Sequence, residues 1–339
     1  MNNMIGSIQE LVTLEDIENN EILFERKYGY LPFNISTWNP SLHFMNTYLL
    51  NKVFLSNSDY ISYLYSYEIN IDKMQQIKSK IGCSSNMDCL ITNTGTAAIT
   101  LVTSVLKELG VENILIVSPS YYAMLYNCLQ KNMTLSELHM IHTKYGYILP
   151  QQQISDIIHK VNAIWITNPI YNTGMYYTPD DIEFLKSQLN KDIFLICDDC
   201  FSLNGHELIR EFCNFKKFIG INDPLKQILV NGLKFATISF SKEFANLFEQ
   251  WSDIVCGSLS YSTIQSIDFF LSDSFDSLLK SLDIHFKKSE NDLNKLIKNF
   301  PRALLDSASI GHMKMCYFND LPADLLQNTK ILYKFMEET

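Results

Sequence analysis

The sequence predicts an α/β fold in which a seven-stranded, mostly parallel sheet lies between layers of helices. Short apolar runs recur along the chain, helical segments separate several of them, and polar residues follow their ends. Runs this continuously apolar are typical of parallel strands, because helices cover both faces of such a sheet. The predicted strands are Cys89–Ile91, Ile114–Val117, Leu135–Ile141, Ala163–Thr167, Ile193–Cys197, Phe218–Ile221 and Phe235–Phe240.

The segments between the strands show helical periodicity. In the helix predicted over Ala97–Leu109, the apolar residues Ile99, Val102 and Leu106 share one face. The same spacing predicts helices over Asp72–Ile81, Met124–Leu129, Gln153–His159 and Asp180–Leu189.

The composition is that of an ordinary globular protein. Its 339 residues are 47% hydrophobic and 19% charged, which is enough for one large domain and a smaller one. A net charge of −10 and only three arginines leave no basic face for nucleic acid. The N-terminus has no signal-peptide pattern, and no apolar run reaches the roughly 18 residues that span a bilayer. We therefore expect a cytoplasmic protein with no membrane partner.

The eight cysteines are scattered, as expected of reduced thiols. Cys197 and Cys200 form a Cys-x-x-Cys pair, but a zinc site needs a second pair of ligands and the sequence offers none nearby. We therefore expect no metal.

Polar side chains follow five of the predicted strands. Ligands of open α/β sheets bind beyond the carboxyl ends of the strands, so we expect a binding site at this edge. The residues that follow the strands are Thr94–Thr96, Tyr121, Asn168–Gly174, Asp198 and Lys226.

An acid at the end of a buried strand, followed by a lysine, could hold pyridoxal phosphate. Asp198 would keep the pyridine nitrogen protonated, and Lys226 would carry the cofactor as a Schiff base. The same lysine could then move the proton of the substrate α-carbon. Asp199 should leave the opposite face of the strand, and we expect it to have a structural role.

The turn Thr94–Gly95–Thr96 at the start of a predicted helix could bind an anion. Free amide N–H groups and the helix dipole point at one spot there. Capping of the helix by Thr92 or Thr94 explains the same residues without a ligand. The sequence alone leaves both explanations open.

Together these motifs resemble the class I/II aminotransferase family of fold-type I pyridoxal-phosphate-dependent enzymes, over roughly residues 34–339. They occur in the family's order. Thr94–Gly95–Thr96 resembles the phosphate-binding turn, Pro119–Ser120–Tyr121 the Pro-x-aromatic element, Asn168–Gly174 the Asn-Pro-x-Asn-Pro-Thr-Gly loop, Asp198–Phe201 the Asp-Glu-x-Tyr motif, and Lys226 with Gly232 and Lys234 the Lys-x5-Gly-x-Arg spacing.

The resemblance implies an aminotransferase that moves an amino group between a small amino acid and a keto acid, with Lys226 and Asp198 as catalytic residues. It also implies that the Tyr121 ring stacks on the pyridine. The family's homodimers imply that Tyr65, or Tyr67 in its place, reaches the phosphate of a neighbouring subunit. Alternatives are a pyridoxal-phosphate lyase, decarboxylase or synthase in a biosynthetic pathway, and a degenerate member of the family without turnover.

Several positions depart from the family's pattern and predict a weaker or rearranged cofactor site. Tyr171 falls where an asparagine would bind the cofactor's 3-hydroxyl, so this contact passes to Tyr171 or to Asn168. Phe201 replaces a tyrosine, and Lys234 replaces a bidentate arginine with a point charge. Asp223 stands where a phosphate-binding serine is usual, and its carboxylate would repel phosphate.

A second lysine competes with Lys226 for the cofactor. Ser239–Lys242 is similar to the Ser-x-Ser-Lys of the family. However, the positions six and eight residues beyond Lys242 hold Phe248 and Gln250, whereas Lys226 has a glycine and a cation at that spacing. We therefore assign the cofactor to Lys226.

The resemblance predicts an N-terminal arm over residues 1–45, a large cofactor-binding domain over 46–270 and a small α+β domain over 271–339. Within the last, His312–Phe318 predicts a strand and Ala323–Met336 a helix. Since family members continue beyond this point, we expect the small domain to be incomplete. A naturally reduced small domain is the alternative.

Overall fold

The computed structural model describes residues 22–30, 64–143, 146–171, 176–189, 192–200, 207–228, 230 and 232–281. These residues fall into two compact units, one between residues 64 and 272 and the other comprising 22–30 and 273–281. In the second unit, residues 22–28 and 273–281 are helical, and the Phe24 ring contacts the rings of Tyr28 and Tyr30. The domain limits predicted at residues 45 and 270 stay a prediction.

In the larger unit, the described residues contain one seven-stranded sheet and one two-stranded sheet. The strands are β1 (Met87–Thr92), β2 (Asn113–Ser118), β3 (Thr134–His139), β4 (Ile141–Thr143), β5 (Gly146–Ile148), β6 (Ala163–Thr167), β7 (Phe194–Asp198), β8 (Phe218–Asn222) and β9 (Ala236–Ser241).

The large sheet has the strand order β1-β9-β8-β7-β6-β2-β3. Pairing is parallel from β3 through β2, β6 and β7 to β8. Strand β9 runs antiparallel to both of its neighbours, β8 and β1. The predicted seven-stranded, mostly parallel sheet is therefore confirmed, and β9 is its one reversed strand among the described residues.

Helices connect most of the parallel strands. The helices of this unit are α1 (Ile71–Lys80), α2 (Gly95–Glu108), α3 (Tyr122–Gln130), α4 (Gln151–Ile157), α5 (Pro179–Leu189), α6 (Ile209–Phe212), α7 (Ala245–Val255) and α8 (Tyr261–Leu271). Single 3-10 turns occur at Ser66–Glu68, Ile158–Lys160, Lys226–Ile228 and Lys242–Phe244.

Helix α2 directly follows β1, and its sequence explains both of its ends. The Thr94 hydroxyl accepts a hydrogen bond from the Ala97 amide at 3.1 Å and caps the first turn. At the other end, Gly110 adopts a φ of +77°, which lets the chain leave the helix in a left-handed turn. Between them, the apolar residues are buried against the sheet.

Helices bury both faces of the sheet. On one face, α2, α3 and α7 form a continuous core with strand residues such as Trp165, Ile196 and Ile238. On the other face, Phe212 of α6 stacks on Phe218 with ring centroids 5.6 Å apart, and Phe270 of α8 lies 5.4 Å from Phe235. This double burial explains why the strands are so uniformly apolar.

Helices α6, α7 and α8 were not predicted from the sequence, and two features of the strands also differ. Strand β3 ends at His139, and Ile141 instead begins the small β4–β5 sheet, which was not predicted. Strands of three residues are too short to show a hydrophobic period. Among the described residues, no helix combines the length and the apolar character that crossing a bilayer requires.

Candidate active site

The carboxyl ends of the parallel strands form one edge of the sheet, and the predicted site residues gather there. The strand register places Asp198 beside Thr167 of β6 and Ile221 of β8. The N-terminus of α2 reaches the same edge, since Thr92 at the end of β1 lies opposite Ala236 at the start of the antiparallel β9. The ends of β6 and β7 and the start of α2, which are distant in sequence, thus meet at one edge of the sheet.

Side-chain alternation sends Asp198 and Asp199 to opposite faces of the sheet. Asp198 lies two residues beyond Ile196 on the same strand, so the two side chains point to the same face of the sheet. Ile196 belongs to the core under α2. Asp199 is buried on the other face, where its Oδ1 accepts a hydrogen bond from Asn168 Nδ2 at 2.6 Å and its Oδ2 accepts one from the Ile209 amide at 3.4 Å. Asp199 thus holds together the ends of β6 and β7 and the start of α6.

Asp198 is a buried acid with an unused acceptor. Its side chain is 4% exposed, and its Oδ1 has no hydrogen-bond partner among the described residues. Burial raises the pKa of Asp198, while hydrogen bonding by the Cys200 thiol, the charge of Lys226 and the Cys200 amide partly oppose this shift. Buried polar atoms are nearly always paired, so this oxygen is ready for a donor from outside the chain.

The first turn of α2 offers amide donors at the same edge of the sheet as this acid. Thr94 uses its hydroxyl to cap the Ala97 amide, as the capping explanation predicted. The amides of Gly95 and Thr96 precede the first intrahelical bonds, and neither donates to another described residue. Capping and anion binding therefore involve different N–H groups and are compatible.

Gly95 opens this turn toward two side chains. A β-carbon placed on Gly95 would lie 3.6 Å from Asp223 Oδ2 and 3.6 Å from Cys200 Sγ. The sequence motifs assign Cys200 no role in the site, since it is half of a Cys-x-x-Cys pair and the variable position of the Asp-Glu-x-Tyr motif. Its position two residues beyond Asp198, and hence on the same face, was the signal that could have placed it in the site.

Lys226 begins a 3-10 turn after β8, and its Nζ lies 4.0 Å from Asp223 Oδ2. Its side chain is 35% exposed, whereas that of Asp223 is 3% exposed. Burial lowers the pKa of Lys226, but the surrounding acidic groups raise it by more, so the net shift is upward. Those groups are Cys200, Asp223, Asp198 and Tyr121. The amine is thus held as a cation among acids.

Two tyrosines line the same region. The Tyr121 ring lies 5.9 Å from the Tyr171 ring at an interplanar angle of 47°. Burial raises the pKa of Tyr121 to about 12, helped by Tyr122 and opposed by the charge of Lys226 and a hydrogen bond with Thr96. Burial also raises the pKa of Tyr171, to which the charge of Asp198 contributes. Tyr121 therefore lies within electrostatic reach of Lys226, and Tyr171 within reach of Asp198.

The structure places the rival Lys242 at the opposite edge of the sheet. Because β9 is antiparallel, its last residue Ser241 lies beside Met87, the first residue of β1. Glu243 there forms an ion pair of 2.6 Å with Lys216, which precedes β8. An exposed lysine at the amino edge is a full strand length from Asp198, which favours Lys226.

Some of the predicted site residues lie apart from Asp198 and Lys226. The Asn168 side chain is turned to Asp199 on the far face. Tyr65 stacks on Tyr67 with centroids 5.5 Å apart, and its amide donates to Glu68. Lys234 is exposed, although its charge lowers the pKa of Asp223.

Phe201 and the segment 172–174 lie outside the described residues, as do His312–Phe318 and Ala323–Met336. Within the described part of the chain, no cluster of His, Cys, Asp or Glu side chains is arranged to hold a metal ion.

Replacing Asp223 with asparagine should stabilise the protein at pH 8. Burial raises the pKa of Asp223 from 3.8 to about 6, so folding favours the protonated acid and disfavours the carboxylate. The stabilising contribution of the protonated acid is present below pH 3.8 and is lost as the pH rises through about 6. We expect Asp223→Asn to raise the free energy of unfolding by about 1–3 kcal/mol at pH 8, and by much less at pH 4.

Urea unfolding at the two pH values measures this effect. Asp180→Asn, an exposed aspartate in the first turn of α5, is the control and should change stability little at either pH. Equal effects of Asp223→Asn at both pH values would contradict the buried-carboxylate argument.

Neither a protein-family model nor a curated protein sequence matches this chain. Solved structures do match its fold. An aspartate aminotransferase double mutant from Thermus thermophilus has a TM-score of 0.66 at 12% identity, covering 86% of this chain and 78% of its own. The pyridoxal-phosphate-bound C-S lyase from Staphylococcus hominis, in complex with the inhibitor L-cycloserine, has a TM-score of 0.59 at 16% identity. The match covers 78% of this chain and 70% of the lyase chain.

The histidinol-phosphate aminotransferase from Clostridium acetobutylicum has a TM-score of 0.56 at 17% identity, covering 78% of this chain and 75% of its own. These structures have different activities, and the identities are low. The likeness therefore shows a shared fold and does not select a reaction.

Proposed function

We propose that this chain, which has the fold of the fold-type I pyridoxal-phosphate enzymes, binds pyridoxal phosphate at Lys226 and transfers an amino group between a small amino acid and a keto acid. The observation that carries the proposal is the buried Asp198 carboxylate. Its Oδ1 accepts no hydrogen bond from the described residues and lies on the same sheet face as α2. A protonated pyridine nitrogen is a donor that would satisfy this oxygen.

Other residues around Asp198 fit the same cofactor. The Gly95 and Thr96 amides at the start of α2 could donate hydrogen bonds to a phosphate group, although the Asp223 carboxylate lies near Gly95. The Tyr121 ring, near Lys226 and Thr96, supplies an aromatic face for the pyridine. The Lys226 amine supplies the covalent attachment point.

Pyridoxal phosphate, when bound, supplies an aldehyde that condenses with amines and a ring that accepts electrons from the substrate α-carbon. Asp198 would hold a proton on the ring nitrogen, because an ionised carboxylate opposite that nitrogen stabilises its protonated form. Lys226 would then move a proton at the substrate α-carbon. Before it attacks the aldehyde, its Nζ must lose a proton, and the Asp223 carboxylate 4.0 Å away favours the protonated amine instead.

Amino-group transfer has a spectroscopic test. With cofactor bound and no keto acid present, an amino donor should abolish the absorbance band of the lysine-bound cofactor and release about one equivalent of keto acid. Adding a keto acid should restore the band. The Lys242→Ala variant, altered at the opposite edge, should behave like the wild type. Repeated turnover without a keto acid would instead support the lyase alternative, and no spectral change with any amino acid would contradict catalysis.

The homodimer, the cytoplasmic location and the biosynthetic role stay predictions from the sequence. So does the contact of Tyr65 with the phosphate of a neighbouring subunit.

A further inference from the structure

The Asp223 carboxylate lies close to the helix N-terminus that the family resemblance assigns to the phosphate. Asp223 Oδ2 would be 3.6 Å from a β-carbon on Gly95, the first residue of α2. The Gly95 and Thr96 amides of this 14-residue helix point at the same region. An anion is favourable there, because the helix dipole and the amide donors stabilise negative charge. Asp223 is an anion supplied by the chain itself.

The position of Asp223 is fixed by the fold. It follows the last residue of β8, and the Lys226 amide closes a turn onto its carbonyl oxygen at 3.2 Å. The residue is 2% exposed, so its side chain is buried beside the start of α2. A phosphate entering the first turn of α2 would therefore meet the carboxylate.

Lys226 cannot neutralise both the Asp223 carboxylate and a phosphate. Its Nζ lies 4.0 Å from Asp223 Oδ2, so the carboxylate takes part of the positive potential that a phosphate would use. Lys234 is exposed and acts on this region as a point charge. Among the described residues, Lys226 and Lys234 thus do not neutralise both a phosphate and Asp223.

Resting on the proposed function, we infer that Asp223 is a specificity-determining residue that disfavours the phosphate group, so that the site takes a non-phosphorylated pyridoxal-type aldehyde more readily than its fold implies. Two neighbouring negative groups at a partly shielded site repel each other enough to lower affinity by at least about tenfold. Burial raises the pKa of Asp223 to about 6, so the repelling charge is present at pH 7.5.

Binding of the two aldehydes tests this inference without any assay of turnover. Pyridoxal phosphate and pyridoxal would each be titrated into the full chain at pH 7.5, with dissociation constants from intrinsic fluorescence and from calorimetry. The Asp223→Ser variant restores the hydroxyl that the family resemblance implies at this position. We expect this variant to lower the dissociation constant of pyridoxal phosphate at least about tenfold. The dissociation constant of pyridoxal should stay within about threefold of the wild-type value.

Asp223→Asn keeps the shape of the side chain and should give the same result if the serine variant does not fold. Asp180→Asn, which removes an exposed charge on α5, should leave both constants unchanged. If both aldehydes bind and the ratio of their dissociation constants is the same in the Asp223 variants as in the wild type, this inference alone is overturned. If neither aldehyde binds to the wild type or to any variant, the proposed function is overturned, and this inference with it.

Discussion

Replacing Lys226 with alanine should lower amino-transfer activity by about 10⁴-fold or more. The substitution removes both the amine that attaches the cofactor and the base that moves the α-carbon proton, and each role alone is worth orders of magnitude in rate. It also leaves the buried Asp223 without the cation that lies 4.0 Å from it. Steady-state rates with saturating amino donor and keto acid measure the loss.

Two variants separate chemistry from folding in this experiment. Lys226→Arg retains a positive charge near Asp223 but cannot attach the aldehyde, so it should be folded and inactive. Lys242→Ala removes an exposed lysine at the far edge of the sheet and should keep activity within about twofold. Full activity of Lys226→Arg, or inactivity of Lys242→Ala, would contradict the assignment.

Replacing Asp198 with asparagine should lower activity by about 10²–10³-fold or more, because the neutral amide cannot stabilise a positive charge on the ring nitrogen. The same change should not lower the free energy of unfolding in the absence of cofactor. Burial raises the pKa of Asp198, so removing its charge relieves a desolvation cost near neutral pH. Loss of activity without loss of stability is the signature of a functional buried acid.

The neighbouring aspartate provides a matched control. Asp199→Asn changes an equally buried carboxylate on the opposite face, where its partners are Asn168 and the Ile209 amide. This variant should be less stable by about 1–3 kcal/mol and keep activity within a few-fold. If the two variants behave alike, the division of roles between the adjacent acids is wrong.

Much of the fold could be predicted from the sequence, because it depends on local patterns. Apolar runs such as Ala163–Thr167 are long enough to mark strands, and that prediction has the observed bounds of β6. The parallel arrangement follows from their burial on both faces. The position of Asp198 at the carboxyl end of β7 then follows from its place in the run.

Features that depend on pairing could not be predicted. The antiparallel direction of β9, which moves Lys242 to the far edge, is set by its hydrogen bonds with β1 and β8. The pairing of Asn168 with Asp199 likewise depends on how two strand ends align in space. Asn168 was therefore assigned to the cofactor from its motif, although its side chain lies on the opposite face from Asp198.

The most direct test of the central claim is to find which lysine carries the cofactor. The purified chain would be incubated with pyridoxal phosphate, reduced with borohydride, digested and analysed by mass spectrometry. The account predicts a reduced adduct on the peptide that contains Lys226, and its absence in Lys226→Arg. An adduct on Lys242, or no adduct on any peptide, would contradict it.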